Sequence, residues 1–428
     1  LADSITDIAT KQCKFFCGSA YTIEPFKLSL ITSKLFNGYL HLFPAGMALV
    51  HLYPLFSCLR FSLRATPASR RLPVVRVSLP LHNQKAKFHK ELQVAAEVVE
   101  KACRVCVDVQ KSLLASEGTI VEKGDQTLVT IADFAVQALV SLELSRHFPS
   151  IPLVAEEDSG YLRENNLVDA VVNVVNVNSF GNTNSLTESD VLSAIDRGGK
   201  RAVVHQEKPA TYWILDPIDG TKGFVKGVSA LYVVGLSLVF EEEIVVGAMG
   251  CPNWDASGII MIAHTGFGSW IKSLSNKLND SHSYHGWTRC FVDAKRSISE
   301  ARFCIPDSQT WESLPLSASY LATNDSSSIS EKEVFLLSAC CGSLCKYLMV
   351  ATGRASAFIQ RARAEATVKA WDHAVGVICV EEAGGQVTDW EGNKLDFAAD
   401  FSARRIVFPA GGILATNGSL HHQVLPFM

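Results

Sequence analysis

No aspartate or glutamate occurs between Pro25 and Lys90, where Arg60, Arg64, Arg70, Arg71 and Arg76 punctuate an apolar, serine-containing background. That absence, together with the spaced arginines, is the composition of an organelle transit peptide. The chain begins with Leu1, and the transit-like stretch opens at Met47 with Ala48-Leu49-Val50. On this reading Met47 is the initiator, residues 1–46 are a leader or extension, and residues 47–87 are the transit peptide. The expected destination is the mitochondrion, with the chloroplast as the alternative. The chain also lacks a clean membrane span: the uncharged run from Leu35 to Leu59 is long enough, but His41, Pro44, His51 and Pro54 interrupt it. No stable membrane insertion is expected.

Basic tracts are missing from the remainder. Residues 1–90 hold twelve of the 39 Lys and Arg and three of the 43 acids, so the net charge of −4 divides into +9 in front and −13 behind. An acidic body argues against a nucleic-acid polymer as partner, while small anionic substrates remain accessible through metal ions. Cysteine is present twelve times but without a framework. Cys103 and Cys106 fall on the apolar face of a helical pattern, and Cys340, Cys341 and Cys345 lack the spacing of a zinc site. Reduced thiols are expected. At 48% hydrophobic, the 428 residues exclude global disorder and suffice for two or three modest domains.

What is present reads as strands delivering acids. A helix over 88–116 is followed by a short strand and a second helix ending near His147, with Asp133 at their junction, where an N-capping role is the plain alternative. A strand over 151–155 ends at Glu156-Glu157-Asp158. Residues 171–189 show no periodicity and read as a flexible insertion before a helix at 188–196. The run Tyr212 to Leu215 predicts a buried strand with Asp216 at its end, Pro217 stopping the ladder and Gly220 allowing a tight turn. Strands at 231–240, 243–249 and 258–262 predict an antiparallel meander, and 272–300 a linker. Beyond it come a strand at 302–305, a helix at 332–349, a strand at 355–359, a helix at 371–383 with Asp372 in its first turn, and strands at 386–389 and 412–416. This alternation suggests an α/β layer over 286–428 behind an α+β domain over 88–285.

Asp216 and Asp219 stand three residues apart at one corner, and their repulsion is relieved most simply by a shared cation with oxygen ligands such as Mg²⁺, although Asp-rich turns are common. Asp133, Glu156, Asp216, Asp219 and Asp372 all fall at the end of a strand or the start of a helix.

The order Val-Thr-x-x-Asp, Glu-Glu, Asp-Pro-Ile-Asp-Gly-Thr and Trp-Asp-His-Ala with a trailing Glu-Ala-Gly-Gly is more specific than any one part. It resembles the lithium-sensitive, magnesium-dependent phosphomonoesterase family that includes inositol monophosphatase and fructose bisphosphatase, over about residues 88 to 428. Within it the chain is similar to plant nucleotidases acting on 3′-phosphoadenosine 5′-phosphate, on Gly227, Gly342 to Tyr347, Gly353-Arg354-Ala355, Trp371 to Ala374, and Phe408 to Gly412. The resemblance implies a layered fold of alternating helices and sheets. It implies two or three Mg²⁺ held by Glu156, Asp216, the Ile218 carbonyl, Asp219 and Asp372, with Asp216 bridging two ions. Asp133 and Thr221 would orient and activate the attacking water. Gly220 and Thr221 would present backbone N–H groups to the phosphate, beside Asp372. Ser343, Lys346 and Arg361 would line the nucleotide's second phosphate. Two departures stand out: Gln360 precedes Arg361 where relatives place an Arg, and Pro306 to Gln309 replaces a His-bearing segment. The expected reaction is removal of the 3′-phosphate to give AMP. The alternatives are an inositol or sugar monophosphatase, which would not need Ser343 and Lys346, and a silent nucleotide-binding protein, whose mark would be a lost metal acid. No such loss is visible.

Overall fold

Leu92, Ala95, Ala96, Val99, Cys103 and Cys106 recur at helical spacing, and all six are buried along α1, His89–Ala115. The computed structural model describes residues 79–428 apart from 116–120, 123–127, 180–184, 201, 203–210, 228–229, 275–285, 323–334, 338–341, 364–366 and 401. The expectations for residues 1–78 lie outside the described residues. Leu79 and Leu81 are buried in the same core as α1.

The helices that follow are α2 (Ile131–His147), α3 (Gly160–Glu164), α4 (Val168–Asn178), α5 (Glu188–Asp196), α6 (Thr221–Lys226), α7 (Pro315–Ala322), α8 (Leu344–Ala351), α9 (Ala374–Glu382) and α10 (His421–Val424). After a two-stranded ribbon of β1 (Val121–Glu122) and β2 (Leu128–Val129) comes a seven-stranded sheet. Its order is β3 (Leu153–Ala155), β4 (Thr211–Asp219), β5 (Val233–Phe240), β6 (Glu243–Cys251), β7 (Ile259–His264), β8 (Gly268–Ser273) and β9 (Thr288–Arg289). Only the β3–β4 pair is parallel; the rest is antiparallel, with β5 to β7 as the expected meander. A second sheet has the order β11 (Phe335–Leu337), β10 (Arg302–Cys304), β12 (Ala357–Arg361), β16 (Gly412–Thr416), β14 (Gln386–Asp389). A short ribbon joins β13 (Val368–Lys369) to β15 (Ile406–Val407).

Strand alternation builds the layers. On β4, Trp213 and Leu215 enter a core with α1, α2, α4 and α5, while Tyr212 and Ile214 point the other way, into a core with α8 and α9. That second core also takes Phe358, Ile413, Ala415 and Val387 from one face of the second sheet. The opposite face, with Ala357, Ile359 and Leu414, packs on Leu316 of α7 and Val424 of α10. Helices and sheets thus alternate through five layers, as the resemblance implies.

Four expectations are corrected. Residues 168–178 form α4, not a flexible insertion; valine and asparagine are poor helix formers, but Val171 and Val175, one turn apart, are fully buried, and burial outweighs propensity. Residues 268–273 and 288–289 extend the first sheet into the region read as a linker. Residues 335–337 pair parallel with β10 as an edge strand, so the helix read at 332–349 begins only at Leu344. Pro217 does not stop its strand, because β4 runs on to Asp219 through a bulge. Among the described residues no helix is long and apolar enough to cross a membrane, and the seven described cysteines are buried thiols.

Candidate active site

Asp133 occupies the third position of α2, in a capping box with Thr130. Its Oδ2 accepts from the Thr130 N–H and hydroxyl, both at 2.8 Å. Its Oδ1 accepts from Thr221 Oγ1 at 3.3 Å. The capping role and the catalytic one are therefore compatible: one oxygen closes the helix start and the other faces the site.

The bulge in β4 arranges the next two acids. Asp216 lies opposite Gly235 and Asp219 opposite Val233, so three steps on β4 match two on β5. Without the extra residue, positions three apart would face opposite sides of the sheet; with it, both carboxylates turn to one side. Pro217 sits in the bulge, where no ladder N–H is required of it. Gly220 then takes a left-handed conformation (φ 88°) and leads into α6, whose first residue, Thr221, also lies 3.2 Å from the Ile218 carbonyl.

Glu156 follows β3 in a loop clamped from two sides. Gln137, buried on α2, donates to the carbonyls of Glu157 (2.7 Å) and Ile195 (2.9 Å) and accepts from the Glu157 N–H (2.8 Å). Arg405 donates to the Glu156 carbonyl at 3.3 Å. Asp372 lies in the turn just before α9, not in its first turn as expected, and His373 takes the capping position. Tyr347 OH and His373 Nδ1 are 3.1 Å apart, and burial pushes the imidazole down to about 3, so it stays neutral beside the acids.

The chain folds these acids together. Asp216, Asp219 and Asp372 each offer a carboxylate oxygen within 4.8 Å of the others. Asp216 is 1% exposed and its Oδ1 has no hydrogen-bond partner among the described residues. Burial, then the charges of Glu156, Asp219, Asp372 and Asp133, hold its pKa well above the carboxylate range. Asp372 is raised by burial and by Asp219 and Glu156. Asp219 is pushed up to about 6, chiefly by burial, against the N–H groups of Ser343 (3.0 Å) and Leu344 (2.6 Å) and the charge of Lys346. Glu156 lies outside the group of three but is the strongest charge acting on Asp216.

Residues 84–426 match the model of the inositol monophosphatase family. The chain belongs to that family. A protein of Arabidopsis thaliana, provisionally named a mitochondrial 3′(2′),5′-bisphosphate nucleotidase, is 57% identical over 380 residues, covering 86% of this chain and 95% of that one. A 3′(2′),5′-bisphosphate nucleotidase of Oryza sativa is 34% identical over 362 residues, covering 79% of this chain and 93% of that one. Among solved structures, the extragenic suppressor protein suhB of Bartonella henselae shares the fold, with a TM-score of 0.50 at 21% identity over 79% of this chain and 98% of that one.

The inositol monophosphatase family is metal-dependent, typically on Mg²⁺, and this acid cluster is compatible with that dependence. An orphaned buried oxygen, converging hard oxygen donors and crowded negative charge are what such a cation relieves.

Around the cluster, Lys346 is 2% exposed on α8, and its Nζ donates to the Gly342 carbonyl at 2.6 Å. Ser343 Oγ lies 3.4 Å from Gln360 Oε1. Arg361, the next residue on β12, is exposed and donates to the Ser313 carbonyl at 3.1 Å, with its backbone held by Gln309. None of these contacts joins it to the carboxylates. Sequence reasoning missed Gln137, Gly342 and Arg405 as supports of the site. Gln137 carries a legible signal, one turn after Asp133 on the same helix face; a lone arginine between short strands carries none.

Proposed function

We propose that this chain is a Mg²⁺-dependent phosphomonoesterase that removes the 3′-phosphate of 3′-phosphoadenosine 5′-phosphate, giving AMP and phosphate. The convergence of Asp216, Asp219 and Asp372 beside the Asp133–Thr221 pair carries this reading, and the nucleotidase names of its relatives agree with it. Two or three ions per site are assigned to Glu156, Asp216, the Ile218 carbonyl, Asp219 and Asp372. The site draws on both halves of the chain, 88–285 for Asp133, Glu156, Asp216, Asp219 and Thr221, and 286–428 for Asp372, Ser343 and Lys346. The mitochondrion is the proposed location.

When bound, Mg²⁺ neutralises phosphate charge and lowers the pKa of water held at the site. The protein supplies proton handling and orientation. Asp133 Oδ2 is committed to Thr130, which leaves Oδ1 to hold the Thr221 hydroxyl proton. Thr221 Oγ1 then has a lone pair free to accept from the attacking water, so the proton leaves toward Asp133 as the oxygen approaches phosphorus. Gly220 and Thr221 bring backbone N–H groups to the phosphate. Lys346 and Ser343 serve the second phosphate, where an ammonium and a hydroxyl neutralise it.

The placement of Arg361 against Ser313 favours a second reading, an inositol or sugar monophosphatase with one phosphate to bind. Purified protein assayed on the nucleotide and on inositol 1-phosphate, with and without Mg²⁺ and Li⁺, separates the two. The nucleotide is expected to turn over faster, with a Mg²⁺ requirement and Li⁺ inhibition; faster hydrolysis of inositol 1-phosphate overturns the substrate assignment. Lys346→Ala is expected to raise the nucleotide KM by about tenfold or more, the scale of one charge-assisted hydrogen bond. An unchanged KM favours the second reading.

A further inference from the structure

Arg405 joins two segments of the site that are 215 residues apart in the chain, counted from Glu156 to Trp371. Its Nη2 donates to the Glu156 carbonyl at 3.3 Å and its Nη1 to the Gly198 carbonyl at 3.1 Å. The same guanidinium lies 4.6 Å from the ring centroid of Trp371, the residue before Asp372. Its backbone is pinned as well: the N–H donates to Asp400 Oδ2 at 2.9 Å, and the carbonyl accepts from the Ala370 N–H at 2.9 Å.

Glu156 is the acid outside the group of three, so its distance from them is set by the loop that carries it. Gln137 holds that loop through Glu157, and Arg405 holds it at Glu156 itself. A planar fork that spans two carbonyls while stacking on an indole is a task for arginine, because a lysine ammonium is a point charge without a face. We propose that Arg405 is a positioning residue that fixes Glu156 relative to Asp372 and thereby sets the affinity of the site for its divalent cation. The proposal rests on the metal-centre reading above.

The test uses the full chain with Arg405→Met and Arg405→Lys. Mg²⁺ is titrated calorimetrically into protein without substrate, and the half-activating Mg²⁺ concentration and nucleotide KM are measured in parallel. Arg405→Met is expected to weaken Mg²⁺ binding by about 10- to 100-fold, the usual effect of removing a support behind a metal ligand. At saturating Mg²⁺, kcat and KM are expected to stay within about threefold of the parent. Arg405→Lys is expected to recover less than half of the loss. Unchanged Mg²⁺ titrations in both variants overturn the proposal. A kcat loss at all Mg²⁺ concentrations with an unchanged titration also overturns it, because that pattern belongs to a merely structural role. If circular dichroism shows Arg405→Met unfolded, the Arg405→Lys titration decides on the same terms. Absence of Mg²⁺ binding in the parent sinks the metal-centre reading and the proposal with it, whereas a different preferred substrate leaves the titration result intact.

Discussion

Asp216→Asn is expected to lower Mg²⁺-dependent turnover by about 10³-fold or more, and at the same time to stabilise the metal-free protein. Turnover falls because the variant loses the central anionic oxygen of the cluster, and several kcal/mol of transition-state charge stabilisation go with it. Stability rises because Asp216 is 1% exposed, its Oδ1 has no hydrogen-bond partner among the described residues, and four other acids act on it. The neutral amide removes that repulsion. A turnover assay checks the first half, and thermal unfolding with and without Mg²⁺ checks the second. Mg²⁺ at a hundredfold excess over Kd stabilises the parent by about 2.7 kcal/mol, and the variant is expected to show little of this shift. A variant with parental turnover, or one less stable than the parent in EDTA, contradicts the assignment.

The same electrostatics gives the metal-free parent an unusual pH profile. Asp219 has its folded pKa raised to about 6 from an ordinary 3.8. The folded state therefore binds more protons than the unfolded state between those values, and the contribution of Asp219 to stability, full below the lower value, is lost as pH rises through the upper one. That loss is on the order of 3 kcal/mol, with the raised Asp216 and Asp372 acting in the same direction. Stability measured in EDTA is expected to fall from pH 4 to pH 7, and added Mg²⁺ to offset the fall at neutral pH.

Gly342→Ala is expected to cost activity about 100-fold and stability about 1–2 kcal/mol. Gly342 has φ 73°, a left-handed conformation that penalises any side chain. A Cβ built there falls 2.3 Å from Asp219 Oδ2 and 2.7 Å from its Cγ, so the carboxylate must move. Asp219 accepts from the Ser343 and Leu344 N–H groups, so the displacement breaks its hold on the start of α8 along with its place in the cluster. An ångström of misplacement costs about 10²-fold in rate. Parental kcat and Mg²⁺ activation in the variant would contradict this picture. The two N–H groups also make Asp219→Asn an unclean probe, because its amide nitrogen would face one of these donors.

Most of the acid cluster was legible because its members stand at strand ends and helix starts, in motifs whose order survives in one dimension. Asp133, Asp216, Asp219 and Asp372 needed no knowledge of the fold to be singled out. Their geometry was not legible. Pro217 read as a strand terminator because its missing N–H breaks a ladder, and only the pairing with β5 reveals the bulge that accommodates it. Lys346 could be read as exposed or buried from the helix pattern alone, and packing against the second core decides it. Residues 171–189 read as an insertion for want of periodicity, and the helix at Val168–Asn178 forms through the burial of Val171 and Val175, which a local reading cannot see. Arg405 depends on three partners from three distant segments, and no spacing encodes that.

The bulge between Asp216 and Asp219 has a consequence for how this site tolerates change. Its working requirement is a count: an odd interval of three on one strand is set against two on its neighbour. Exchanging the intervening side chains alters packing, but losing or gaining one residue rotates the second acid to the far side of the sheet and away from Asp372. Substitution and deletion are therefore not graded versions of one injury here. The segment can drift in identity while its length is frozen, and a one-residue deletion breaks the cluster outright even when every acid is retained.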